Sequence, residues 1–292
     1  MTRAIAWLSI AAVIGCGGGE TPAAEYPPIQ EEGEARPEGT EPTGEGSAAE
    51  AGPAEEPAAE AAAPIRVVAA ERTGVLGTPP TLRIRMPPNG RLVRSGDVQL
   101  TLRLDDWELQ PAPGAHLHLV IDNEPYIAIR DISRNLNVNA LAREHLGHEL
   151  AEGSHVLRLF LSRTNHESIK TEGSAATLLV HFRSRTPDFG FDADAPMLTY
   201  SRPKGCYESG SRVMLDFQLS NVEALSAEGT RIRFTIDGET SGEITSWAPH
   251  FIENLPDGEH RIRLQLLGAD GAPIAGMFND TERTIQLAPS CE

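Results

Sequence analysis

The most pointed chemistry in the chain sits at His116-Leu117-His118. Two residues apart on an extended strand, both imidazoles leave the same face. A third nitrogen from the segment that follows, His145 or His148, would complete a three-imidazole site for zinc or copper. Next along the chain, Asp122-Asn123-Glu124 offers hard oxygens. Calcium is one use for them, but the regular carboxylate spacing of a calcium loop is missing, so a strand-end turn capped by Asp122 is the expected role. His166-Glu167-Ser168-Ile169-Lys170 holds a base, an acid, a hydroxyl and a cation. Adjacency in sequence does not make a triad, and no Gly-x-Ser-x-Gly elbow surrounds the serine. This segment is expected to be an exposed loop that meets a partner through His166, Glu167 and Lys170, together with Tyr126. No residue is assigned to catalysis. The chain is expected to be non-enzymatic and without a cofactor, zinc or copper on the histidines being the alternative.

The cysteines divide into one and two. After Arg3, the apolar run Ile5 to Ile14 is too short to span a bilayer and suits a signal-peptide core. It closes on Val13-Ile14-Gly15-Cys16, which resembles the lipobox of bacterial lipoproteins. That resemblance implies a signal peptide over 1–15 and lipid chains on Cys16, hence a membrane partner and a cell-envelope location. Gly17 stands where an inner-membrane retention signal would place Asp, which leans toward the outer membrane. Residues 17–64 hold twelve Glu and one Arg among Ala, Pro and Gly. Too few large apolar side chains are present there to offset chain entropy, so 16–64 is expected to be a disordered acidic tether. Residues 65–292 carry a net charge of -7 out of the chain's -17. No basic patch points to nucleic acid. Cys206 and Cys291 remain as an even pair in an oxidising compartment, where a bridge is expected and two free thiols are the alternative.

These groups are carried by strands. Leu117, Leu119 and Ile121 alternate with His116, His118 and Val120. Leu82 to Met86, Val98 to Leu104, Val156 to Leu161 and Leu178 to Phe182 alternate in the same way, between Gly, Pro and Asn turns. The pattern returns 115 residues later. Val98, Leu100 and Leu102 match Val213, Leu215 and Phe217, and Asp122 matches Asp237. After a ten-residue deletion the offset becomes 105, and Leu-x-x-Gly-x-His recurs at His155 and His260. Those two histidines are expected to hold a loop-to-strand corner by hydrogen bonding. The fold class is all-β: two tandem immunoglobulin-like antiparallel sandwiches, 65–186 and 187–292. The connector, from Pro187 to Pro196, contains Phe189 and Phe191 and is expected to pack. The additional ten residues fall in 127–149, the expected binding surface.

The repeat also bears on the histidines. Arg231 and Arg233 stand where the first copy has His116 and His118. Such exchange predicts an outward, solvated face with surface histidines. The stretches His116 to Asn123, Leu-x-x-Gly-x-His155 and His166 to Lys170 resemble uncharacterised bacterial exported and lipoprotein-type β-domains, over residues 80–184. That resemblance implies a fold and a compartment and no activity. The expected role is presentation of two domains to a protein or glycan partner.

Overall fold

Alternating apolar residues make strand the dominant regular structure of the described residues. The computed structural model describes residues 63–74 and 77–291. The expected signal segment 1–15, Cys16 and all but the end of the tether lie outside the described residues. Ahead of the first sandwich runs β1 (Arg66–Ala69). The first sandwich then takes β2 (Thr81–Met86), β3 (Arg91–Val93), β4 (Gln99–Asp105), β5 (His116–Ile121), β6 (Ile127–Ile129), β7 (Leu136–Asn137), α1 (Val138–Leu146), β8 (Gly153–Ser162) and β9 (Ala175–Phe182). The second takes β10 (Met197–Arg202), β11 (Gly205–Glu208), β12 (Val213–Ser220), β13 (Arg231–Ile236), β14 (Thr240–Ile244), β15 (His250–Glu253), β16 (Gly258–Leu267) and β17 (Asp280–Ala288).

The two copies share one topology. In the first, β3-β9-β8-β5-β6 faces β2-β4-β7; in the second, β11-β17-β16-β13-β14 faces β1-β15-β12-β10. In each copy one short strand pairs in parallel with the last strand, β3 with β9 and β11 with β17. The other pairings described are antiparallel. This is the two-sheet arrangement of an immunoglobulin-like domain, built twice. Leu117, Leu119, Leu157, Leu159 and Leu161 fill the first core. Ile232, Phe234, Ile262, Leu264 and Leu266 do the same in the second.

Three expectations need correction. The first concerns the bound at 65. Arg66–Ala69 does not belong to the first sandwich: β1 pairs antiparallel with β15 and completes an edge of the second. Its unpaired amides meet a free strand edge there, and the chain then returns to begin β2. The second concerns 127–149, where extra connecting residues are expected: regular elements fill it. β6 is paired to β5, and α1 packs Val138 and Ala142 into the core. The Asn137 side chain accepts from Ala140 N at the helix start, and Gly147 closes it with a left-handed φ of 77°.

The third is the outward face. All six residues of β5 and all ten of β8 are buried, whereas their counterparts β13 and β16 alternate between buried and partly or fully exposed. One repeat therefore has two environments. In the first copy the outer face of the β5-β8 sheet is covered by the second sandwich. Val156 packs there with Met197 and Phe278, and Phe189 and Phe191 of the connector join them. The Arg158 guanidinium donates to Leu198 O at 3.2 Å and Thr199 Oγ1 at 3.0 Å, and lies 3.8 Å over the Phe278 ring. In the second copy nothing described covers that face, and Arg231 pairs with Glu243 at 2.7 Å.

Candidate functional site

The site is built where β5 and the β8–β9 hairpin of the first sandwich meet β10 of the second. Strand alternation throws His116 and His118 off the core onto the seam, and both have 0% exposure. The hairpin turn supplies the third ring. His166 adopts a left-handed φ of 69°, uncommon for a residue with a side chain. His116 Nε2 is 2.9 Å from His118 Nε2 and 3.1 Å from His166 Nδ1. The three ligand nitrogens lie within 4.8 Å of one another. Tyr126 stacks on His118 with ring centroids 3.5 Å apart, and its hydroxyl is 3.1 Å from His166 Nδ1.

The second sandwich closes the cluster. Ser201 Oγ lies 3.3 Å from His118 Nδ1. Arg202 donates to the Tyr126 hydroxyl at 2.6 Å, and Lys204 Nζ donates to Tyr126 O at 2.7 Å. From the first sandwich, Arg130 donates to Gly114 O at 2.7 Å, the carbonyl that also faces His116 Nδ1 at 3.0 Å. Burial and these cations together disfavour protonation. Burial holds His118 well below the usual imidazole value, with His116 and His166 adding to it. Burial and then Arg202 push His166 down to about 3. His116 is lowered by burial, with Arg130, Arg202 and Lys204 beside it. Burial raises the Tyr126 phenol to about 12, and burial and then Arg202 lower Lys204 to about 8. Near neutrality the cluster is a set of neutral imidazoles, the form that ligates metals.

The expected residues are placed differently from the sequence reading. His145 and His148 are exposed and take no part in the cluster; they lie 3.8 Å from Glu144 and Glu124 respectively. Helix α1, absent from the strand-only expectation, carries His145 away from β5. The partner loop is also corrected, because its side chains are spent on the chain itself. The Glu167 carboxylate accepts from Thr73 N at 3.0 Å and Thr73 Oγ1 at 2.7 Å. Lys170 Nζ donates to Asp216 Oδ1 at 2.5 Å and Ser168 Oγ at 2.8 Å, with both charged side chains at 0% exposure. Ser168 N donates to Asp216 Oδ2 at 3.1 Å. Tyr126 is buried as well. Sequence reasoning missed Ser201, Arg202, Lys204 and Asp216 entirely, since they come from the other domain. A signal was present: the outer face of β8 bears Val156 and Phe160 where β16 has Arg261 and Gln265. Large apolar residues on both faces of a strand announce a cover.

His155 and His260 do what the repeat implies. In each copy Nδ1 lies 2.7 Å from the Asp carboxylate, Asp122 or Asp237, and Nε2 lies 2.8 Å from a loop carbonyl, Ala151 or Pro256. The other carboxylate oxygen accepts the amide of Val156 at 2.8 Å or Arg261 at 2.7 Å. An imidazole facing two acceptors donates to both only when it carries both protons. Burial works against this, but the aspartate and the loop carbonyl together outweigh it, and both imidazoles are raised above the usual value. Asp122 is thus committed to the corner. Asn123 reaches across the seam and donates to Thr281 Oγ1 at 3.0 Å. Cys206 and Cys291 are disulfide-bonded, 85 residues apart.

No protein-family model and no curated protein matches the chain. Solved structures with a similar arrangement include the fibronectin(III)-like modules of Clostridium thermocellum CbhA, at 12% identity over 72% of this chain and 95% of that one, with a TM-score of 0.26. The N-terminal Ig1-2 module of the Drosophila receptor protein tyrosine phosphatase DLAR matches at 11% identity over 71% and 98%, with a TM-score of 0.21. SGBP-B of the Bacteroides ovatus mixed-linkage glucan utilization locus, solved with a mixed-linkage heptasaccharide, matches at 15% identity over 71% and 47%, with a TM-score of 0.20. These likenesses concern the fold alone, and the sheet order described above is what defines it. The chain is a tandem pair of immunoglobulin-like sandwiches with a histidine cluster at the seam between them.

Proposed function

We propose that the chain is a lipid-anchored protein of the bacterial cell envelope, held at the outer membrane through Cys16. An acidic tether carries two immunoglobulin-like domains away from the membrane and presents them, without catalysis, to a protein or glycan partner. The observation that carries the non-enzymatic reading is the fate of the hairpin after β8. Its acid accepts from Thr73, its hydroxyl donates to Phe217 O and its amine donates to Asp216, so the groups best suited to acid–base chemistry are buried in structural contacts. A seam of this kind makes a rigid pair and leaves the sandwich ends and the outer face of the second copy for recognition. The anchor is supported by the apolar run and the Val13-Ile14-Gly15-Cys16 sequence. Several acyl chains on one cysteine give stable attachment where a single chain is marginal.

Cys16→Ser is the test. The unaltered full chain, expressed in a bacterium with lipoprotein processing, is expected in the membrane fraction and labelled by radioactive palmitate. The variant is expected to lose the label and leave that fraction. Equal fractionation with no label in either protein overturns the anchor.

A further inference from the structure

Protein groups alone do not give every nitrogen at the seam a well-aligned hydrogen bond. His116 Nδ1 faces Gly114 O at 3.0 Å and therefore carries the ring's single proton when the imidazole is neutral. That leaves one lone pair on Nε2. Two nitrogens approach it, His118 Nε2 at 2.9 Å and His166 Nδ1 at 3.1 Å. One lone pair accepts one well-aligned N–H, so the second nitrogen either competes for that lone pair with its own N–H or faces it with a lone pair. A further proton would resolve this, but Arg130, Arg202 and Lys204 all face the cluster. The geometry points to a metal instead: His116 Nε2, His118 Nε2 and His166 Nδ1 form a site for one divalent ion of the zinc or copper class, with Tyr126 Oη beside the fourth position.

The dimensions are near those required. Zinc–imidazole bonds of about 2.0–2.1 Å in a tetrahedron put the nitrogens about 3.3 Å apart. Two of the three edges here are 2.9 and 3.1 Å and all three nitrogens lie within 4.8 Å, so side-chain adjustment that opens the short edges and draws His118 and His166 toward the ion admits it. The surroundings have the form expected around metal ligands. The Gly114 carbonyl orients His116 from behind, and Ser201 Oγ stands 3.3 Å from His118 Nδ1. Tyr126 Oη, 3.1 Å from His166 Nδ1 and hydrogen-bonded by Arg202, is the nearest oxygen donor. The cations oppose an ion as they oppose a proton. They place this site below carboxylate-containing zinc sites in affinity. All three nitrogens belong to the first sandwich while Ser201 and Arg202 belong to the second, so the ion sits under the seam. This site does not depend on the lipid anchor or on a partner.

The test uses the untagged full chain stripped with chelator and titrated calorimetrically with zinc and, separately, with copper. One ion per chain is expected. His166→Gln, at a half-buried position, is expected to weaken binding by at least the ~10–100-fold that loss of even an outer partner costs. His145→Gln/His148→Gln is expected to leave it unchanged. Circular dichroism in chelator establishes that each variant is folded. Cobalt provides a readout that needs no variant: the strong visible band of a tetrahedral, nitrogen-rich site is expected. Absence of binding to the unaltered chain at micromolar metal overturns the site. So does affinity that survives His166→Gln, affinity lost with His145 and His148, or a weak octahedral-type cobalt spectrum.

Discussion

Lys170→Met is expected to cost about 3–5 kcal/mol of stability, because it removes one half of a fully buried ion pair. Lys170 Nζ and Asp216 Oδ1 are 2.5 Å apart with both side chains at 0% exposure. Once the amine is gone, the carboxylate keeps only the Ser168 amide, 3.1 Å from Oδ2. It stays buried because β12 cannot turn it outward without opening the seam. Lys170 comes from the first sandwich and Asp216 from the second, so the loss falls on their contact. Chemical denaturation of the full chain measures it. Lys170→Met/Asp216→Leu is expected to recover most of the loss, since well-packed apolar residues often replace a buried pair without penalty. A single-variant cost under about 1 kcal/mol, the range of exposed pairs, would show that the pair is solvated and the seam open.

Cys206→Ser/Cys291→Ser is expected to cost up to about 4–5 kcal/mol, the chain-entropy value for closing a loop of 85 residues. The bridge ties β11 to the residues that follow β17. β11 is an edge strand of four residues that pairs, among the described residues, with β17 alone, and Cys291 lies beyond the last described strand. Without the bridge both pieces are free to fray. The effect should fall on the second sandwich. Reductant should lower the melting temperature of the unaltered chain and leave the double variant unmoved. Equal melting temperatures for the two proteins in oxidising buffer would contradict this.

Much of the architecture was legible because it follows from local rules written twice. Period-two alternation located β4, β5, β8 and β9, and the offsets of 115 and 105 paired them with their counterparts. The corners at His155 and His260 followed from one recurring motif, but Asp122 and Asp237, expected to cap their own turns, bond those imidazoles instead. Two kinds of feature were not legible. Helix α1 is nine residues long, too short for its apolar period to stand out, although Asn137 and Gly147 marked its ends. The seam was hidden for a different reason. Equivalent positions in tandem copies share a backbone but not neighbours, so Arg231 and Arg233 were a poor guide to His116 and His118. Val120, Val156 and Phe160 on the same face carried the better information, because such apolar side chains are rarely left together in water. β1 shows the same limit: four residues give no sign of which sheet edge they will complete.

The account stands on the burial of His116 and His118 beneath the second sandwich, and residue-resolved carbethoxylation of the chelator-treated full chain tests it most directly. Diethyl pyrocarbonate is expected to modify the exposed His145 and His148 readily, while His116 and His118 stay protected until the protein is denatured. Modification of all four at similar rates in the native protein would contradict the account.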